Sequence, residues 1–310
     1  MIRTLYRASL PRHLRLAIRR GLGSLAPALA ARPARLDPES PRRFELALPM
    51  GPTDAARRTL AIDAPNRLMV PRLLEAHGVG GFEPETIAAI LGLVETVRPA
   101  VVYDVGANVG PHALLVPALL DVPVVAFEAS ADTAAALRHL VALNNLPVTV
   151  VEAAAGELAG VARFYISPTD TSSSLNADWR NATGIVEVPV LTLDGYAAAH
   201  PPVPGVIKID TETTEPDVLR GAPALLATRP WIVCEVLPGH REGELDEILL
   251  PLGYIPFHID GSSPMTRHAR VAGAADMANM NWLFAPSEPP DALWAAVDRW
   301  RAALDATPAP

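Results

Sequence analysis

The chain has 310 residues, half of them hydrophobic, with 26 basic and 34 acidic side chains and a formal net charge of −8. That length accommodates one large domain or two small ones around a substantial core. Mean hydropathy is positive, but prolines and charges interrupt every apolar stretch well short of the roughly 18 residues a membrane span needs. An acidic body argues against nucleic-acid binding, and a single cysteine, Cys234, excludes an intramolecular disulfide and any multi-cysteine metal cage.

Residues 1–35 contain eight arginines and no acid, which leaves 18 basic against 34 acidic residues for the rest of the chain. This stretch reads as a solvated basic arm, or as an amphipathic helix making peripheral contact with anionic lipid. No clear cleavage pattern follows its apolar part, so a cytoplasmic location is expected. Proline-rich breaks divide the chain into a basic N-terminal extension over 1–80, partly helical or disordered, a main domain over 81–286, and a C-terminal helix and tail over 287–310.

From residue 84 onward, helical patterns alternate with short β-rich runs. "ETIAAILGLVETV" is expected as helix, "AVVYDVG" as strand, "PHALLVPALL" as helix, "VPVVAFEA" as strand, "ADTAAALRHLVALNN" as helix and "VTVVEAA" as strand. Such alternation implies βαβ units and a parallel sheet. "VARFYIS" and "GIVEVPVLTL" then suggest a hairpin around the polar segment "PTDTSSSLNADWRNAT", whose Ser172, Ser173, Ser174 and Asn176 suit a lid or a loop that reads hydroxyls. The alternation resumes with "GVIKIDTE", "PDVLRGAPALLATR" with a break at Pro223, "WIVCEVLP" and "GELDEILLPLG". "YIPFHID" and "NWLFAPS" supply two more strands. A last helix places Leu293, Val297, Trp300 and Leu304 on one face, for packing or a dimer contact.

The run "VVYDVGANVG" is a buried strand, then Asp104, then glycines at 106 and 110, leading directly into a helix. In doubly wound sheets, ligands bind at the carboxyl ends of strands, where a glycine turn allows close backbone approach and a helix N-terminus offers free N–H groups. Glu128, at the end of the next strand, is placed to accept hydrogen bonds from ribose hydroxyls. Nicotinamide cofactors use G-x-G-x-x-G, whereas this turn is G-A-N-V-G with an acid just before it. That acid would repel a pyrophosphate but can pair with an ammonium, which favours S-adenosylmethionine. A nicotinamide-dependent oxidoreductase and a non-catalytic module that binds S-adenosylmethionine are the alternatives.

"DVGANVG", "VVAFEAS", "ALRHLVALNN", "LTLDGY", "IKIDTETTEPDVLRGA" and "WIVCEV" occur in order, and through them residues 84–286 resemble the FkbM-type S-adenosylmethionine-dependent methyltransferases. The resemblance implies a class I, Rossmann-like fold: a doubly wound, mostly parallel sheet with an antiparallel last strand. It further implies that Asp104, Gly106, Asn108 and Gly110 line the methionine part of the cofactor, that Glu128 holds the ribose and that Ala154 lies near adenine. Ala129 stands where the family has proline. His112 either touches the methionine end or caps its helix.

"VIKIDTETTEP", residues 206–216, contains Lys208, the only lysine in the chain. As the fourth parallel strand beside the first, it would carry Asp210 to the cofactor's methyl group. A neutral hydroxyl is a poor nucleophile, so a general base or a metal that lowers its pKa is needed. Asp210 and Glu212 share a face if the chain stays extended, which suits one base and one positioner, or two ligands for a divalent metal such as magnesium. No histidine is present to favour zinc. Lys208 lies on the same face as Asp210, where it would pair with a carboxylate or hydrogen-bond the substrate. Asp210, Glu212 and Lys208 are thus the candidate catalytic residues. Glu215 or Thr214 is expected to cap the helix that starts at Pro216. The family pattern D-x-E-G-x-E has threonine here in place of glycine, at Thr213. If that position needs a positive φ, the loop is strained and Glu212 is displaced. The expected activity is O-methylation of a hydroxyl on a sugar, glycolipid or polyketide-like metabolite.

Overall fold

The computed structural model describes residues 37–50, 59–178, 182–274 and 279–310; the basic stretch of residues 1–35 lies outside them. An antiparallel pair of strands, β1 (Pro41–Ala47) and β2 (Thr59–Pro65), precedes helices α1 (Met69–His77) and α2 (Pro84–Val97). Next come β3 (Val102–Val105), α3 (Pro111–Leu120), β4 (Val124–Phe127), α4 (Ala131–Asn144), β5 (Val148–Val151), β6 (Ala154–Ala155), β7 (Gly160–Ile166) and β8 (Gly184–Leu191). The chain continues through α5 (Leu193–Ala199), β9 (Val206–Ile209), α6 (Glu215–Arg220), α7 (Pro223–Ala227), β10 (Trp231–Glu235) and α8 (Glu242–Leu249). It closes with β11 (Ile255–His258), β12 (Thr266–Arg267), β13 (Asn281–Ala285) and α9 (Asp291–Asp305).

The central sheet has the order β12-β11-β13-β10-β9-β3-β4-β5. Its β10, β9, β3, β4 and β5 are mutually parallel, while β13 runs antiparallel between β10 and β11. β3 and β9 are buried at every position, as expected of parallel strands covered on both faces. One apolar layer joins α2, α3, α4 and α9, and a second lies on the opposite face under α5 to α8. The stripe Leu293, Val297, Trp300 and Leu304 is buried. It packs on α2, where Val297 fills the space a side chain at Gly92 would need and Trp300 Nε1 donates to Glu95 at 2.8 Å.

β1 and β2 lie in the segment whose pattern suggests an extension. They alternate in period 2, and Leu46, Leu60 and Ile62 join the main core. Asn144 fastens β2 to α4 by accepting from Ala61 N at 2.9 Å and donating to Ala61 O at 2.8 Å. That segment therefore contributes extended structure to the fold.

The β3–α3–β4 and β9–α6–β10 connections leave the sheet in opposite directions from the β3/β9 pair. A crevice opens at that switch point, at the carboxyl ends of the strands. Chain geometry alone thus brings the ends of β3, β4, β9 and β10 to one place.

Candidate active site

A cleft of about 1160 Å³, counting the open solvent at its mouth, occupies this crevice. Of the residues expected to bind cofactor, Gly106, Asn108, Glu128 and Ala154 line it, as do Lys208, Asp210 and Glu212. Asp104 and Gly110 do not line it, although their chain neighbours Val105 and Pro111 do. Asp104 is 2% exposed and lies in register with Lys208 across β3 and β9.

Gly106 and Gly110 both have φ near +80°. A Cβ on Gly106 would fall 1.8 Å from the Asp210 carbonyl oxygen, and one on Gly110 would fall 2.3 Å from Leu137 Cδ1. Glycine at 106 is therefore what lets the β3 turn touch the end of β9. Glu128 accepts from Asn108 N at 2.7 Å and from Ser130 N at 2.8 Å. It is 8% exposed and burial pushes its carboxyl above the usual range against the pull of those donors.

The cleft floor concentrates negative charge around a single lysine. Lys208 Nζ donates to Asp210 Oδ2 at 2.8 Å. Burial works against the Lys208 ammonium, but Asp210, Glu83 and Asp104 outweigh it and hold the group charged. Burial also tends to raise the Asp210 carboxyl, yet Lys208 prevails and keeps it below the ordinary range. The other acids go the opposite way. Burial lifts Glu83 to about 7 and Asp104 to about 6 despite Lys208, and Glu235, buried beside Asp210, Glu212 and Glu215, is raised well above its usual value. Buried oxygens of Glu83, Asp104 and Glu235 find no hydrogen-bond donor. A cationic ligand with a sulfonium and an ammonium fits such a floor electrostatically.

The loop after β9 departs from the extended geometry under which Asp210 and Glu212 would share a strand face. Glu212 has φ 56° and Thr213 φ 86°, so the chain turns at once, and the strain anticipated at Thr213 is present. Two tethers hold it: Asn176 Nδ2 donates to Thr213 Oγ1 at 2.7 Å, and Thr213 N donates to Glu215 Oε1 at 3.2 Å. The turn brings Glu212 back toward Asp210 and Glu235, so that one carboxylate oxygen from each lies within 4.8 Å of the others.

Neither Thr214 nor Glu215 caps α6 through its side chain. Glu215 instead accepts from Thr211 N at 2.8 Å and Thr211 Oγ1 at 3.2 Å. It is a tie across the loop, because the tight turn points those donors inward at the first residue of the helix. Ser174 Oγ donates to Glu212 O at 2.7 Å, so the polar segment expected as a lid clamps the acidic loop. From the same segment, Asp170 Oδ1 accepts from Met69 N, at the start of α1, at 2.8 Å. His112 lines the cleft with Nε2 unpartnered, and burial drives its pKa down to about 3, so the imidazole is neutral.

Sequence reasoning missed Glu235, Glu83 and Asp170. Glu235 carried a signal, an acid at the end of a buried strand. The other two had none, because their places depend on how distant segments fold over the crevice.

A parallel sheet with this strand order, a glycine turn after its first strand and acids at the ends of its second, fourth and fifth parallel strands define a class I methyltransferase fold. Residues 104–256 match the methyltransferase FkbM domain. That stretch is a methyltransferase domain of the FkbM type. Among solved structures, the chain is similar to the O-methyltransferase from Bacillus cereus in complex with SAH, at 14% identity and TM-score 0.41, covering 69% of this chain and 84% of that one. The precorrin-6y C5,15-methyltransferase from Geobacter metallireducens GS-15 is similar at 13% identity and TM-score 0.35, covering 60% and 77% of the two chains. The Burkholderia thailandensis 1,6-didemethyltoxoflavin-N1-methyltransferase, with bound 1,6-didemethyltoxoflavin and S-adenosylhomocysteine, is similar at 15% identity and TM-score 0.34, covering 65% and 76%. No curated protein matches the chain. Among the described residues, no helix is long and apolar enough to cross a membrane.

Proposed function

We propose that the protein transfers a methyl group from S-adenosylmethionine to a hydroxyl oxygen of a sugar, glycolipid or polyketide-like metabolite. The convergence of Asp210, Glu212 and Glu235 at the open end of the cleft carries this reading, since methylating a neutral hydroxyl requires that its proton be accepted. The bound cofactor supplies an activated methyl on a sulfonium carbon, open to in-line displacement.

The chain's own residues do the remaining work. Gly106 and Asn108 shape the turn against which the methionine portion would lie, Asp104 adds negative charge behind it for the ammonium, Gly110 opens α3, Glu128 faces the ribose and Ala154 borders the adenine. Lys208 keeps Asp210 anionic and fixes its Oδ2, so Asp210 is the carboxylate available to take up the acceptor hydroxyl's proton, with Glu212 as the positioner beside it. The floor repels phosphate, sulfate and carboxylate near the reacting carbon, which favours neutral polyols. We place the enzyme in the cytoplasm, with the basic residues 1–35 available to anionic lipid when the acceptor is membrane-borne.

Calorimetry with S-adenosylhomocysteine tests the cofactor site, and absence of binding at millimolar ligand would sink the reading. Mass spectrometry of neutral glycosides incubated with labelled cofactor tests the acceptor class. Asp210→Ala should abolish transfer; undiminished methylation by the variant would remove Asp210 from the mechanism, whereas cofactor binding without methylation by the wild type would favour a module that only binds cofactor.

A further inference from the structure

Asp210 follows the last residue of β9, and Glu235 is the last residue of the neighbouring β10. The parallel register sets Cys234 beside Ile209, so the next residues, Glu235 and Asp210, leave the sheet side by side. The left-handed turn at Glu212 folds a third carboxylate onto them, and one oxygen of each lies within 4.8 Å of the other two. Three acids this close cannot all be ionised unless a cation joins them; without one, Glu235, whose carboxyl is raised well above its usual value, must hold a proton.

The protein's own cations do not meet that need. Lys208 is the one lysine or arginine among the described residues lining the cleft, and its ammonium is spent on Asp210 Oδ2 at 2.8 Å, with Glu83 and Asp104 also in its field. Glu235 is 5% exposed, lines the cleft, and its Oε2 is buried with no hydrogen-bond donor at all. A buried carboxylate oxygen aimed into a cleft without a donor costs several kcal/mol in general if nothing satisfies it. This orphaned oxygen is an observation separate from the clustering of the acids.

We propose that Asp210, Glu212 and Glu235 bind a divalent cation at the end of the cleft where the acceptor hydroxyl would lie. The inference rests on the methyltransferase reading for its role, but the site is defined by these three side chains alone. Every donor is a carboxylate oxygen, a hard ligand set that selects magnesium, manganese or calcium over zinc or copper. Three protein ligands leave coordination positions for water and for the acceptor oxygen. A cation there would lower the acceptor hydroxyl's pKa and hold its oxygen in line, a task that Lys208 cannot do while bound to Asp210.

The test uses the full chain, freed of metal by chelator and dialysis, and titrated with manganese chloride with and without saturating S-adenosylhomocysteine. Electron paramagnetic resonance of free manganese gives the occupancy. The wild type should bind one ion, and Glu235→Gln and Glu212→Gln, which keep side-chain size, should each weaken binding at least about tenfold while S-adenosylhomocysteine affinity is unchanged. No manganese bound at millimolar concentration, or equal binding by both variants, overturns the site. If S-adenosylhomocysteine binds and manganese does not, the cation site falls and the methyltransferase reading stands. The reverse pattern upholds the site and removes the reading on which its role rests.

Discussion

At the surface between α6 and α8, Asp217 and Glu244 are matched one for one by Arg220 and Arg241. Arg241 grips both carboxylate oxygens of Asp217 at 2.6 and 2.7 Å and reaches Glu244 at 2.7 and 2.8 Å, while Arg220 adds a bond to Glu244 at 2.6 Å. Glu244 is accordingly driven down to about 2, first through its hydrogen bond to Arg241. In the cleft, Glu83, Asp104, Asp210 and Glu235 lie in the field of Lys208, and burial drives Glu83 and Asp104 upward. The network is satisfied internally and serves the fold. The cleft is left with surplus negative charge, which costs stability and keeps affinity for a cationic ligand.

Removing Lys208, the one lysine or arginine among the described residues lining the cleft, should have the largest effect. Lys208→Gln should cost about 3–5 kcal/mol, the loss expected when one member of a buried charge pair is deleted, and it should lower the melting temperature and abolish methyl transfer. Retention of wild-type stability would show that the acids were already neutral.

Asp104→Asn sharpens the difference in sign. The folded carboxyl titrates at about 6 against an ordinary 3.8. The native state therefore holds the proton more tightly, and stability falls as pH rises from about 4 through 6. The asparagine variant should lose this decline and be more stable than wild type near pH 7 by about 1–3 kcal/mol, while its affinity for S-adenosylhomocysteine drops. The network runs the other way. Glu244, depressed in the fold, adds stability present above about 4.5 and lost as pH falls through about 2. Acid titration of melting temperature at both ends of the range would show the two slopes.

Arg241→Met should cost about 1 kcal/mol, since the pairs are partly exposed and screened. Raising salt toward 1 M should shrink the gap between variant and wild type. Chemical denaturation at two ionic strengths measures it. Thr213 offers the smallest effect. Thr213→Gly relieves a left-handed threonine but loses the bond from Asn176, so stability should move by less than about 0.5 kcal/mol, whereas Thr213→Val keeps the strain, loses the bond and should cost about 1 kcal/mol. Equal losses in both would mean that strain at 213 is negligible.

Most of the sheet was legible from period and punctuation. "VVYDVG", "VVAFEA", "GVIKID" and "WIVCEV" are short apolar runs ending in acids, and all four are buried parallel strands whose ends meet at the cleft. The strands β1 and β2 were not legible, because two strands of period 2 in a proline-rich context bury their apolar side only against α4. Lys208 and Asp210 were correctly placed on one face, since strand alternation is a local property. Glu212 was not, because a positive φ at two consecutive non-glycine residues runs against every local preference and persists only through Asn176, Ser174 and Glu215.

The sequence by itself determined that a parallel α/β sheet would form, that its first turn would need glycine at 106 and 110, and that one lysine and several acids would stand at its strand ends. Only the tertiary structure decided that those acids outnumber their cations in a buried place, with Glu235 and Glu83 among them. The reason is physical: alternation and turn chemistry act over a few residues, whereas the surplus charge arises from side chains up to about 150 positions apart, which meet only once the sheet has closed around its switch point.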